Sequence, residues 1–169
     1  MNSLKLRHLA AVAALATAAG ATHAADSQNM TVQATVSSTC RLVTPLPTMS
    51  FTLDPAVGTD QTAPATVQYR CTKGTAPNGT NAFTVAGANT GTYTSGTTAG
   101  TGAMVGQTAG NIDVLPFKIT WTAPSTAGSG FGSSVTPVDV VLTGTVLGTD
   151  YVNVTADTYK KTIAIAINP

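Results

Sequence analysis

In LPFKITWT, Leu115 to Thr122, the apolar residues Leu115, Phe117, Ile119 and Trp121 fall at every second position, with Lys118 and Thr120 between them. A two-residue period marks a strand with one buried face, because successive side chains of an extended chain point to opposite sides. The same period recurs along the chain. ATVQYRC (Ala65 to Cys71) alternates Val67, Tyr69 and Cys71, and VDVVLTGTV sets Val138, Val140 and Leu142 against Asp139, Val141 and Thr143. Near the C-terminus, KKTIAIAIN brings Ile163, Ile165 and Ile167 into step, and SFTL (Ser50 to Leu53) and AFTVAG (Ala82 to Gly87) are shorter stretches of the same kind. After residue 25 no run of good helix formers carries a 3.6-residue apolar stripe. Short strands punctuated by Gly, Pro and Asn predict an all-β fold, an antiparallel β-sandwich. Pro116 cannot donate to a ladder, so its position should be a strand start, an edge or a bulge.

The first of these stretches is NMTVQATVSSTC, Asn29 to Cys40, with Met30, Val32, Ala34 and Val36 at alternate positions. It lies close to where a mature chain is expected to begin. Lys5, Arg7 and His8 precede an apolar run from Leu9 to Ala19, and Thr22 and Ala24 stand at the small positions before a cleavage expected after Ala24. The run is too short and too rich in alanine for a membrane anchor, and no second apolar span of about 20 residues follows. Two stretches, Ala86 to Asn111 and Ala123 to Pro137, consist mostly of small and hydroxyl residues. They are expected to be long surface loops, with TYTSG and AMVGQ as weak strands in the first.

Removal of a signal peptide takes both histidines, His8 and His23, and the sequence contains no Glu. A Ser-His-Asp or Cys-His centre is then excluded, as is zinc on His ligands. Seven Asp remain, scattered through turn-like settings, against six Lys and Arg. So few charges make no basic patch for nucleic acid or anionic lipid. The glycines of GTGAMVGQTAG lack the Gly-Lys-Ser/Thr and the helix of a phosphate loop. No enzyme, cofactor, metal, nucleic acid or membrane insertion is expected. Tyr93, Trp121 and Tyr151 could form a sugar-stacking platform, although Trp121 continues the apolar face of its strand and is expected in the core. Tyr159, ahead of the final strand, is expected to tether a corner of the sandwich through its hydroxyl.

Two cysteines, Cys40 and Cys71, in an exported chain allow one intramolecular disulfide; free thiols or an intermolecular bridge are the alternatives. Alternating strands at both ends raise a further question. The N-terminal strand either completes its own domain or pairs with another molecule.

The signal peptide, the alternating MTVQATVSSTC, Cys40 directly after it, a second Cys about thirty residues on in VQYRC, the Gly/Thr-rich middle and the final TYKKTIAIAIN together resemble pilin subunits of the archaic chaperone–usher pathway, the spore coat protein U domain family. Tyr159 and Thr162 match the family's pattern before the last strand, where Lys161 stands in place of the usual Asp. The resemblance implies an immunoglobulin-like sandwich that lacks its last strand, with residues 1–24 a signal peptide, 25–38 a donor strand segment and 39–169 the pilin domain. It implies that Met30, Val32, Ala34 and Val36 insert into a neighbouring copy. It implies that Ile163, Ile165 and Ile167 line the acceptor groove, and that Cys40–Cys71 staples the first strand to its neighbour. The implied partners are other copies of the chain, a periplasmic chaperone and an outer-membrane usher. The implied role is that of a surface pilus subunit in adhesion or biofilm formation. The alternatives are a secreted, monomeric β-sandwich that binds carbohydrate or another surface ligand, and a non-fibrous coat protein.

Overall fold

A computed structural model describes residues 26–79, 81–89 and 102–169. The expected signal peptide, Tyr93 and the TYTSG stretch lie outside the described residues. Segment 26–35 and the body from Val36 to Pro169 are two separate parts. The body is all-β apart from one helical turn. Its elements are β1 (Cys40–Leu42), β2 (Gln61–Cys71), β3 (Phe83–Ala86), β4 (Ala103–Gly106), β5 (Val114–Pro116), β6 (Lys118–Trp121), β7 (Val138–Val146), α1 (Gly148–Tyr151), β8 (Tyr159–Lys160) and β9 (Ala164–Ile167).

The two longest alternating stretches make the centre of the largest sheet, ordered β1-β2-β7-β6. β2 and β7 run antiparallel from Gln61 opposite Val146 to Tyr69 opposite Val138. Their inward faces carry Val67, Tyr69, Val140, Leu142 and Val146, all buried, while Thr62, Thr66, Asp139 and Val141 face solvent. A two-stranded sheet pairs β3 with β9, and a three-stranded sheet is ordered β5-β4-β8; every strand pairing in the three sheets is antiparallel. Phe83, Leu115, Phe117, Ile119 and Tyr151 complete the core.

Several expectations are corrected. LPFKITWT is not one strand. Pro116 ends β5 opposite Ala103, and the Phe117 N–H donates to the Gly102 carbonyl at 2.6 Å, so the chain leaves one sheet and joins another at Phe117. MTVQATV, residues 30–36, belongs to no strand among the described residues. SFTL likewise belongs to no strand among the described residues. AMVGQ does contain a strand, β4, inside a stretch read mainly as loop. The helical turn α1 was not anticipated, because four residues are too few to carry a period.

Cys40 and Cys71 are opposite one another in the β1–β2 register, with Cα atoms 4.1 Å apart, and they form a disulfide. Such a bond belongs to an oxidising compartment, as expected of an exported chain. Among the described residues, no helix is long and apolar enough to cross a membrane.

Candidate functional site

The core is covered on one side and open on another. Between the stretch Leu46–Leu53 and the stretch Tyr159–Ile165 lies an open cleft of about 310 Å³, floored by Ala65, Val67, Phe117, Ile119 and Leu142. It continues past Met104 and Leu115 to Tyr159, and then on to Tyr151 and Val154. The result is an apolar groove from Ala65 and Val67, past Met104 and Leu115, to Tyr151 and Val154.

Each wall has alternating sides. On one wall Met49, Phe51 and Leu53 turn inward and are half-buried, while Ser50 and Thr52 are exposed. On the other, Ile163 and Ile165 are half-buried, while Thr162 and Ala164 are exposed. Large apolar side chains are thus withdrawn from water on one flank only. The backbone is equally incomplete. β9 pairs with β3 on one side alone, and among the described residues Leu46–Leu53 makes no hydrogen bond to any strand. Unpaired N–H and C=O groups along an apolar edge are the features by which one sheet edge accepts another strand.

Three local devices hold this geometry. Gly144, on the inward face of β7, leaves a recess that a side chain would fill: a Cβ there would collide with Met49 Sδ and Phe51 Cζ. Gly144 therefore sets how deeply the first wall sits. The second wall is fixed at its start by Tyr159, whose hydroxyl donates to the Thr155 carbonyl at 2.7 Å and accepts from Asn111 Nδ2 at 3.3 Å. Beside it, the Asp157 carboxylate accepts from the Thr108 N–H and hydroxyl, both at 2.9 Å, from Asn111 Nδ2 at 2.7 Å and from the Thr158 N–H at 2.7 Å. The Thr108 backbone donor, then Asn111, hold this carboxyl well below the usual carboxylate range. At the far end of β2, the third device ties residues 37–39 down: Thr72 Oγ1 donates to the Ser37 carbonyl at 3.2 Å, and the Thr72 N–H donates to the Thr39 carbonyl at 2.9 Å.

The residues singled out from sequence therefore fall in different places. Ile163 and Ile165 line the groove; Ile167 packs on the core opposite Phe83 and is not part of the lining. Met30, Val32 and Val36 are exposed to 83, 81 and 81%, and Ala34 is also exposed. Met49, Phe51, Leu53, Met104 and Gly144 were missed as site residues. The period in TMSFTL was the available signal for the first three.

The sugar-platform alternative finds no shared surface among the described residues. Tyr151 is buried and its hydroxyl donates to the Thr59 carbonyl at 2.6 Å. Trp121 is half-buried with its ring edge-on to Phe83, centroids 5.9 Å apart. Among the described residues there is no group of three or more His, Cys, Asp or Glu that could hold a metal ion. No family model matches the chain, and neither a curated protein nor a solved structure matches it.

Proposed function

We propose that the chain is a structural subunit of a surface fibre, of the archaic chaperone–usher pilin type, built by donor-strand exchange. In this reading the body is an immunoglobulin-like sandwich without its last strand, and residues 29–36 of one copy complete the next. The observation that carries the reading is the open apolar groove between Leu46–Leu53 and Tyr159–Ile165, in a chain that also holds an exposed, alternating, unpaired segment. The two match in length. Asn29–Val36 and Leu46–Leu53 have eight residues each, about 26 Å of extended chain at ~3.3 Å per residue.

The energetics favour exchange over solvation. Burying Met30, Val32 and Val36 is worth about 1.5–3 kcal/mol each. Ladder hydrogen bonds add to this by satisfying the unpaired backbone of the groove walls. Ala34 provides a small member of the row. Because the groove and the inserted segment are different surfaces, the contact is heterologous and propagates into an open fibre. A subunit with an uncovered apolar groove aggregates, so a periplasmic chaperone that lends a strand, and an outer-membrane usher at which the next subunit replaces it, are the partners this chemistry calls for. Surface display then serves adhesion or biofilm formation, with no enzymatic step.

The test is assembly. The exported chain, run on a gel without boiling and imaged by electron microscopy, gives a ladder and thin fibres. Val32→Arg places a charge in the groove and abolishes both, while the folded body is retained. A stable monomer that never assembles with a chaperone and usher present, or fibres that persist with Val32→Arg, defeats the reading.

A further inference from the structure

The sequence holds four methionines, and Met1 lies in the expected signal peptide. The other three fall on the two surfaces that strand exchange would join. Met30 stands in the unpaired segment and is 83% exposed. Met49 and Met104 line the groove, and both are half-buried. Met49 belongs to the first wall. Its Sδ is the atom nearest to the point where a Cβ on Gly144 would stand, so the sulfur occupies the recess that Gly144 leaves. Met104 lies on β4, opposite Leu115, where the cleft passes from Val67 toward Tyr159. The groove floor, made by Ala65, Val67, Phe117, Ile119 and Leu142, carries no side-chain hydrogen-bond donor.

Methionine suits such surfaces because its unbranched chain and polarizable sulfur adapt to whatever packs on it. The same sulfur is open to oxidation. Both cysteines are already joined in a disulfide, so the thioethers are the reduced sulfurs that remain. A peroxide transfers one oxygen atom to a thioether. A sulfur lone pair forms the S–O bond, the O–O bond breaks, and from hydrogen peroxide the second oxygen leaves as water. Sulfur loses two electrons and the peroxide gains them. The product is a polar, chiral sulfoxide that disrupts methionine-rich interfaces. Its oxygen is hydrated while the groove is open. Covered by a strand on an apolar floor, it becomes a buried polar group without a partner, which is unfavourable.

We propose that Met30, Met49 and Met104 form an oxidant-sensitive modification site that controls assembly. Sulfoxidation by a peroxide in the unassembled chain blocks strand exchange, and exchange, once made, shields all three sulfurs from the oxidant. The inference rests on the donor-strand reading and adds a means of regulating it. The block is reversible: a sulfoxide reductase restores the thioether as two thiols become a disulfide and the oxygen leaves as water.

The experiment treats the unassembled full chain with hydrogen peroxide and reads its affinity for a labelled peptide of residues 29–38 before and after. Mass spectrometry of proteolytic fragments follows sulfoxide at each methionine, and Trp121 fluorescence reports the fold. Oxidation weakens uptake by the wild-type chain about tenfold, as expected for the loss of one buried anchor, while the fluorescence is unchanged. In a chain carrying Met49→Leu and Met104→Leu, treated and untreated samples match each other. A second arm needs no variant: the untreated wild-type chain takes up a peptide with sulfoxide at Met30 about tenfold more weakly than the thioether peptide. In a third arm, assembled fibres gain sulfoxide at the three positions about tenfold more slowly than the unassembled chain, because oxidation follows exposure. Undiminished uptake in either of the first two arms overturns the inference. So does an equal loss in the Leu variant, a loss that coincides with a change in the Trp121 signal, or equal oxidation of fibre and free chain. Failure of the untreated wild-type chain to take up the thioether peptide overturns the donor-strand reading itself, and this inference with it.

Discussion

Gly144 is where a single added methyl group tests the groove most sharply. It lies on the inward face of β7, opposite Ala63 on β2 and Ile119 on β6, at a position where the strand's alternation otherwise places Val140, Leu142 and Val146. The space a side chain would take is filled by Met49 and Phe51 from the first wall of the groove. Gly144→Ala must therefore push both side chains outward or distort β7. Forcing an extra carbon into a packed core costs about 1–3 kcal/mol. If Met49 and Phe51 move instead, each forfeits part of a burial worth ~1.5–3 kcal/mol when complete, and both are only half-buried here. Either route gives a loss near 2 kcal/mol, partly offset by the better strand propensity of Ala over Gly. Urea unfolding of the unassembled chain, followed by the single tryptophan Trp121, measures it. Met49→Ala added to Gly144→Ala returns part of the loss, since the two sites share one volume and couple by about 0.5–3 kcal/mol. A Gly144→Ala midpoint within ~0.5 kcal/mol of wild type, the usual range for uncoupled surface changes, refutes the packing argument. So does strict additivity with Met49→Ala.

Two further perturbations act away from the groove floor. Replacing Cys40 and Cys71 by Ser removes a bridge between residues 31 apart and lowers stability by about 3–4 kcal/mol in the chain-entropy account; a fall in the urea midpoint checks it. The Asp157 carboxyl is held below its ordinary value by hydrogen bonds, chiefly from Thr108, and the Asp113 carboxyl by hydrogen bonds from Thr155. A depressed folded value stabilises above the unfolded one and is lost as pH falls through it. Unfolding midpoints should therefore stay level from neutral pH to about pH 5 and decline below about pH 4 as these carboxylates take up protons. Asp157→Asn should lower the midpoint at neutral pH and flatten the acid decline.

What could be read from residues alone divides along a physical line. Alternation is local, so the strands within Ala65 to Cys71, Val138 to Val146 and Ile163 to Ile167 are legible from their own residues. With only two cysteines in the chain, one intramolecular pairing was possible. Pairing between strands is not local. Leu115 to Trp121 has an unbroken period, yet the chain changes sheets at Phe117 because the Phe117 N–H finds Gly102, fifteen residues away in sequence. Met49, Phe51 and Leu53 also alternate, but nothing in their own sequence says that no strand lies beside them. β4 is four residues in a Gly-rich stretch, where packing against β5 and β8 decides and intrinsic propensity does not. Gly144, taken by itself, is one more weak position in a strand. Its role depends on side chains nearly a hundred residues earlier, which no window along the sequence contains.

Hydrogen exchange of the assembled chain against the unassembled chain reports whether a strand fills the groove. Among the described residues, the backbone amides of the groove walls at Phe51, Leu53 and Ile163, and those of Thr31 to Val36, have no ladder partner. If residues 29–36 of one copy fill the groove of the next, both sets become strongly protected together on assembly, while the amides of β2 and β7 are unchanged. If both sets exchange as fast in the assembled state as in the free chain, the segment does not occupy the groove and the account is contradicted.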